Sequence, residues 1–377
     1  MNGAAGRAGD PWRYRHYGRV LCRDPLIISG TTVLESLAIG LAPLLSPTIG
    51  DRPAYFLLRL FWQTETPAKI ADLVAAHRRH AAAHPAHRVI ILANSVREAW
   101  RLQQAGIRTI LCNHNALVDE HAFDVLPAEE KRFDAVYNAR LRPYKRHELA
   151  CAIASLALIY DAPEPGDLAC VAAVRRMLGH AVFVNHLEGV AAVGDLPRER
   201  ARHVAIRVLG PDFAPPLPAG RVAQWLNRAR VGLCLSRSEG AMYASMEYLL
   251  CGLPIVSTRS MGGRDHYFEP AHTRVVDDDP VAVAAAVAEL SAARIDPQEI
   301  RATALAKVRH DRRLFVDLLQ ELIDESGGTM DVAARFPAML KEGLFRLSSI
   351  AALAAEIAGA VPPGAVGARE RANGHAD

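Results

Sequence analysis

From His87 onward, short apolar runs alternate with amphipathic stretches, and this alternation constrains the fold more than any other feature of the chain. "HRVIILAN" reads as a buried strand. "SVREAWRLQQAG" follows as a helix, with Ser95 as N-cap and Gly106 as its stop. "IRTILC" and "FDAVYNA" read as the next strands, followed by a helix over "YKRHELACAIASLALIY". The strands "HAVFVNH" and "ARHVAIRVLG", the helix "AGRVAQWLNRAR", the strand "VGLCLS", a helix after Gly240 and the strand "GLPIVST" complete the series. Such a series builds parallel sheets from βαβ units. It is too long for one sheet. The polar loop "NHNALVDEHAFDVLPAEEKR" (113–132) is therefore read as a hinge between two doubly wound domains, 1–132 and 133–328. The segment "FPAMLKEGLFRLSSIAALAAEI" reads as helical within 329–360, and the Pro/Gly/Ala-rich stretch 361–377 as a disordered tail.

Composition agrees with a soluble globular protein: 50% of the 377 residues are hydrophobic and 23% charged. A net charge of +3 does not call for nucleic acid. Arg7, Arg13, Arg15, Arg19 and Arg23 crowd the start among Trp12, Tyr14 and Tyr17, which reads as a solvated tail or as a peripheral membrane contact. No secretory signal is visible, and "VLESLAIGLAPLL" is too short to span a bilayer. The six cysteines form no C-x-x-C pair, which suits a reducing cytoplasm, with the inner membrane face as the site of any peripheral contact.

Two acids stand out in "SRSEGAMYASMEYLLCGLPIVST": Glu239 and Glu247. Glu239 falls at the carboxyl end of a strand, the end at which open α/β sheets bind ligands. The backbone N–H groups of Gly240, Ala241 and Met242 would open the next helix and favour an anion. Glu247 lies eight residues on, roughly 12 Å along a helix. One acid could accept from sugar hydroxyls and the other from ribose hydroxyls. Alternatively, Glu239 is a capping-region acid and Glu247 a helix-face acid. A second strand end, "ARLRPYKRHEL", delivers Arg140 and Lys145, a planar fork and a compact charge suited to phosphate oxygens.

In this order and context the chain resembles the retaining GT-B glycosyltransferases of the family 4 type. Their R-x4-K element corresponds to Arg140 and Lys145, their E-x7-E to Glu239 and Glu247, and their G-[LIV]-P-[IV]-V strand to "CGLPIVST". "ILCNHNALVDEHAF" resembles the family's hinge loop, and Gly262 and Gly263 occupy the place of a common glycine pair. The resemblance covers roughly 88–290. Ala139 stands where the family usually has Gly before the Arg, Arg146 where it has Gly after the Lys, and Ala116 follows Asn115 in place of Gly. The N-terminal domain is abbreviated, and Gly30 in "IISGTTVLES" is the candidate for its glycine-rich acceptor-side loop.

The resemblance implies an α/β GT-B fold, two Rossmann-like domains facing a cleft. It implies sugar transfer from a nucleotide-diphosphate sugar to a hydroxyl, with a carbohydrate or lipid-linked acceptor and no cofactor beyond the co-substrate. Arg140 and Lys145 would hold the diphosphate, with Gly240, Ala241 and Met242 beside it. Glu239 would contact the transferred sugar, Glu247 the ribose, and His114 the sugar near the reaction centre. A strand-end His satisfying loop backbone is the other reading of His114.

No metal is expected. The D-x-D at Asp277–Asp279 reads as an N-cap before Pro280, and His77, His80, His84 and His87 as a basic helix end stopping at Pro85. Dinucleotide, P-loop and nucleophile-elbow motifs are absent. Rival readings are a nucleotide-sugar epimerase or hydrolase of the same fold and a non-catalytic partner subunit.

Overall fold

The computed structural model describes residues 15–32, 38–160, 168–188, 216–345 and 347–359. The described residues divide into two compact units, 15–117 with 309–359, and 118–308. The first crossing falls inside the predicted hinge loop. The second falls inside the helix Pro297–Glu325, well before the 328 boundary read from the sequence.

In the first unit the strands are β1 (Arg15–Arg23), β2 (Leu26–Thr32), β3 (Ala54–Leu60), β4 (His87–Ala93), β5 (Thr109–Leu111) and, from the far end of the chain, β12 (Leu347–Ser349). They lie in the order β12-β1-β2-β3-β4-β5. β2 to β5 are parallel, and β1 pairs antiparallel with both β2 and β12. Alternate residues divide the sheet into two apolar faces, as a parallel sheet buried on both sides requires. Leu26, Ile28, Phe56, Leu58, Val89 and Ile91 meet Leu41, Leu45, Leu73, Leu102, Leu353 and Ile357. Ile27, Leu57, Ile90 and Leu92 meet Phe315, Leu318, Leu319, Leu322, Ile323, Val332, Phe336 and Met339.

This second face explains where the late helices go. The helices of 42–104 cover one side of the sheet, joined by the helix Ile350–Ile357, and the segment 315–344 returns to cover the other. The short N-terminal stretch is thus completed by sequence nearly two hundred residues away, where the sequence reading kept 329–360 apart.

The second unit holds β6 (Phe133–Asn138), β7 (Leu156–Ile159), β8 (Val182–Phe183), β9 (Ala229–Cys234), β10 (Ile255–Thr258) and β11 (Thr273–Val276). All are parallel, in the order β11-β10-β9-β6-β7-β8. Read from the other edge this is 3-2-1-4-5-6, the doubly wound dinucleotide-fold order.

Several local expectations are corrected. The helix expected over 144–160 is two short 3-10 turns, Pro143–Lys145 and His147–Ala150, followed by β7. Leu156, Ala157, Leu158 and Ile159 are all buried between β6 and β8, and a continuous apolar run reads alike as buried helix or buried strand. The late segment 336–357 contains the strand β12 between the helices Val332–Lys341 and Ile350–Ile357. Arg19 and Arg23 lie in strand β1 and not in a solvated tail, and Arg19 pairs with Glu342. Gly30 sits within β2, where an added Cβ would press on Leu41 and Leu58, so it belongs to no glycine-rich loop. The expected strand at 201–210, the tail 361–377, and Arg7 and Arg13 fall outside the described residues. Among the described residues no helix is long and apolar enough to cross a membrane.

Leu322→Ala should cost about 2–5 kcal/mol, as for other buried leucines. Hydrogen exchange should show the loss as weakened protection of β2 to β4 with β9 and β10 unchanged. Weakening confined to the helix itself would mean that the late segment does not complete the first sheet.

Candidate functional site

In the second unit the chain winds from β6 out through β7 and β8, then returns to the other side of β6 at β9. The reversal between β6 and β9 is the topological switch point, where loops at the carboxyl ends diverge and leave room for a ligand. Arg140 and Lys145 lie on the loop after β6, Glu239 to Met242 on the loop after β9, and Glu247 in the helix Tyr243–Leu250 that follows.

From β6, Asn138 donates its backbone N–H to the Tyr248 hydroxyl at 2.6 Å and its side-chain N–H to Glu247 at 2.7 Å. Glu247 is only 3% exposed, and the amide at the end of β6 is one partner that makes its burial tolerable. Arg140 follows, half-buried on the loop. The Tyr137 hydroxyl donates to the Lys145 carbonyl at 2.5 Å and fixes the end of the first 3-10 turn. Burial pushes the Tyr137 and Tyr248 hydroxyls well above their ordinary pKa, so both stay protonated.

Lys145 Nζ lies 2.5 Å from Glu239 Oε1, and the two side chains are only 10% and 8% exposed. The sequence reading assigned these residues separate partners, a phosphate and a sugar. The structure joins them across the switch point. Glu239 is held by its backbone N–H, which donates to Met261 O at 3.0 Å, while Gly263 N–H donates to Gly240 O at 2.7 Å. Gly240, Ala241 and Met242 precede the helix Tyr243–Leu250, which starts three residues later than the Gly240 start read from the sequence.

Two positions on these loops have left-handed backbone without being glycine: Arg146 at φ 54° and Met242 at φ 52°. Arg146 stands where the resemblance expects Gly, and the φ supplies the reason. Its guanidinium donates to Leu235 O at 2.6 Å and to Thr258 Oγ1, and it pairs with Asp278. Asp279 caps the helix Pro280–Ala292 through Ala282 N–H at 2.8 Å, as read from the sequence.

His114 belongs to the first unit. It opens the 3-10 turn His114–Leu117, and its backbone N–H donates to Asn94 Oδ1 at 3.1 Å. Burial, with the Arg59 charge second, holds its imidazole well below the usual pKa and therefore neutral, and Nε2 has no hydrogen-bond partner among the described residues. His80, His84 and His87 do come together, with His80 Nε2 3.2 Å from His87 Nδ1 and the rings of His84 and His87 stacked at 4.8 Å. Among the described residues no group of three or more His, Cys, Asp or Glu converges as for a metal ion.

Sequence reasoning missed Asn138, Arg146 as a buried clamp, and Arg264. Their one signal was position: each lies at or just past the carboxyl end of a predicted strand. It also missed Glu98, which accepts the backbone N–H of Thr64 at 2.6 Å and of Asn94 at 2.8 Å and so fixes the residue that holds His114. Burial pushes the Glu98 carboxyl up to about 7, against the pull of those two N–H donors.

A carboxyl whose folded pKa is raised binds its proton more tightly in the native state. The stability it contributes is complete below the ordinary value of 4.5 and is lost as pH rises towards 7. The thermal midpoint of the wild-type chain, relative to Glu98→Gln, should fall between pH 5 and 7.5. Parallel profiles would contradict the buried, proton-holding Glu98.

Residues 172–293 match the sequence profile of the family described as "Glycosyl transferases group 1", about a third of the chain. That stretch contains Glu239 and Glu247. No curated protein matches the chain. Among solved structures, Anabaena Alr3699/HepE in complex with UDP and glucose is similar at a TM-score of 0.52 and 16% identity, over 78% of this chain and 77% of that one. The same protein in complex with UDP gives 0.53 and 16%, over 78% of each chain. TarM gives 0.50 and 10%, over 74% of this chain and 53% of its own. At such identities the likeness speaks for the fold. The chain has the GT-B fold of two parallel-sheet units, and its second unit carries the glycosyl transferases group 1 pattern.

Proposed function

We propose that this chain is a retaining glycosyltransferase of the family 4 type, moving a hexosyl group from a nucleoside-diphosphate sugar to a hydroxyl acceptor. The observation that carries the reading is the Lys145–Glu239 pair at the switch point, with Glu247 held beside it by Asn138. Without donor, the cation and the acid neutralise each other. On binding, the diphosphate would take over the ammonium, leaving Glu239 to accept hydrogen bonds from the sugar's hydroxyls. Glu247 would accept from the ribose, and Arg140 would add a second cation at the phosphates. UDP-glucose is the first donor to try, because the solved structure of similar fold holds UDP and glucose.

In the reaction the anomeric carbon–oxygen bond breaks and its electron pair moves to the departing phosphate. The acceptor oxygen bonds the same face of the sugar, and its proton passes to that phosphate. Negative charge grows where Lys145 stands, so a fixed ammonium there stabilises the transition state more than the ground state. With Arg140 and Lys145 supplying positive charge, the activity is expected to need no metal. We read the protein as cytoplasmic, acting on a carbohydrate or lipid-linked acceptor. A membrane contact through the basic N-terminus would rest on Arg7 and Arg13, because Arg19 is engaged within β1.

Lys145→Ala should lower turnover by about 10²–10³. It should also cost about 3–5 kcal/mol of stability, because it leaves Glu239 buried and unpaired. Lys145→Ala combined with Glu239→Gln should recover most of the stability and none of the turnover, measured by denaturant titration and by sugar transfer from UDP-glucose with EDTA present. Wild-type-like turnover in Lys145→Ala would contradict the reading. Glu247→Ala should weaken donor affinity more than it slows the bound donor, since ribose contacts are alike in ground and transition states. A steep fall in kcat at unchanged donor Kd would assign Glu247 another partner.

A further inference from the structure

We propose that Arg264 is a positioning residue for the diphosphate end of this site, an inference that rests on the donor-site reading above. Arg264 is 0% exposed. A guanidinium buried that deeply is tolerable only when its donors are satisfied. Nη1 donates to Ser236 O at 2.5 Å, Nη2 to Ser257 Oγ at 2.7 Å and to Thr258 O, and Nε to Asp265 Oδ1 at 2.7 Å. Ser236 lies just beyond the carboxyl end of β9, and Ser257 and Thr258 close β10. One side chain therefore ties together the ends of two neighbouring strands.

The loop between Thr258 and Arg264 in turn carries the loop bearing Glu239. Met261 N–H donates to Arg237 O at 3.0 Å, Glu239 N–H to Met261 O at 3.0 Å, and Gly263 N–H to Gly240 O at 2.7 Å. Ser245 Oγ reaches Met242 O at 2.8 Å and Arg264 O at 3.4 Å. Met242 is the left-handed residue directly before the helix, and a non-glycine residue keeps such a conformation only where its surroundings fix it. Glu239, Gly240 and Met242 are thus each bonded to a segment pinned by Arg264, or to a side chain that touches it. The guanidinium reaches no ligand itself. It sets where Glu239, and hence Lys145, stand before a phosphate arrives.

A residue that only supports the fold would, when changed, weaken every part of a nucleotide's binding together. A positioning residue at the phosphate end weakens the diphosphate's share alone. The experiment measures affinities for UDP, GDP and ADP and for uridine, guanosine and adenosine, in wild type, Arg264→Met, Arg264→Lys and Ser245→Ala, each checked for fold by circular dichroism. Arg264→Met should lose tenfold or more in affinity for the nucleoside diphosphate that wild type binds, with the nucleoside affinity kept. Arg264→Lys should fall between wild type and Arg264→Met. Ser245→Ala, which leaves the guanidinium in place, should shift the diphosphate-to-nucleoside ratio in the same direction by less. If Arg264→Met does not fold, the Lys and Ser245 variants decide. Unchanged ratios in the folded variants would overturn the inference and leave the donor site standing. A wild-type chain that binds none of the three diphosphates would overturn the donor-site reading, and this inference with it.

Discussion

A lysine and a glutamate buried against each other at a sheet's switch point constrain the whole second unit. Neither charge is tolerable there alone, and a pair with only 10% and 8% of its side chains exposed holds only if both loops are fixed to a fraction of an ångström. The sheet order brings the loops after β6 and β9 side by side, and parallel strands point both carboxyl ends the same way. The surrounding bonds do the fixing: Tyr137 on the Lys145 carbonyl, Met261 on the Glu239 N–H, and Arg146 and Arg264 on the carbonyls at the ends of β9 and β10.

The same pair gives the site its chemical logic. A cation and an acid in contact leave little net charge buried. A ligand carrying phosphate on one side and hydroxyls on the other can satisfy both when it separates them. Phosphorylated sugars and nucleotides have that polarity, and the proposed nucleoside-diphosphate sugar is among them. Left-handed backbone at Arg146 and Met242 on the two flanking loops fits a site where geometry is held against local preference.

The parts of this arrangement legible in the sequence were those set by local chemistry. β6, β9 and β10 read as strands because parallel strands buried on both faces are nearly continuous apolar runs. Arg140, Lys145 and Glu239 read as charges placed where such runs end, and Glu247 as an acid two turns into the helix that follows. β7 was not: "SLALIY" has helix-forming residues and no polar face, and only its neighbours make it a strand. The return of 309–359 to the first sheet was hidden because an apolar helix face does not name the sheet it covers. Arg264 was hidden for a related reason. Nothing in a sequence shows that an arginine after two glycines will find two strand-end carbonyls. The Lys145–Glu239 contact joins residues 94 positions apart, and spacing alone offered phosphate and sugar as their separate partners.

The most direct test is a crystal structure of the chain with UDP-glucose, read at one distance. Lys145 Nζ should leave Glu239 and lie within hydrogen-bonding distance of a diphosphate oxygen, with Glu239 accepting from the glucose hydroxyls. A bound donor with Lys145 still on Glu239, both away from the diphosphate, would contradict it.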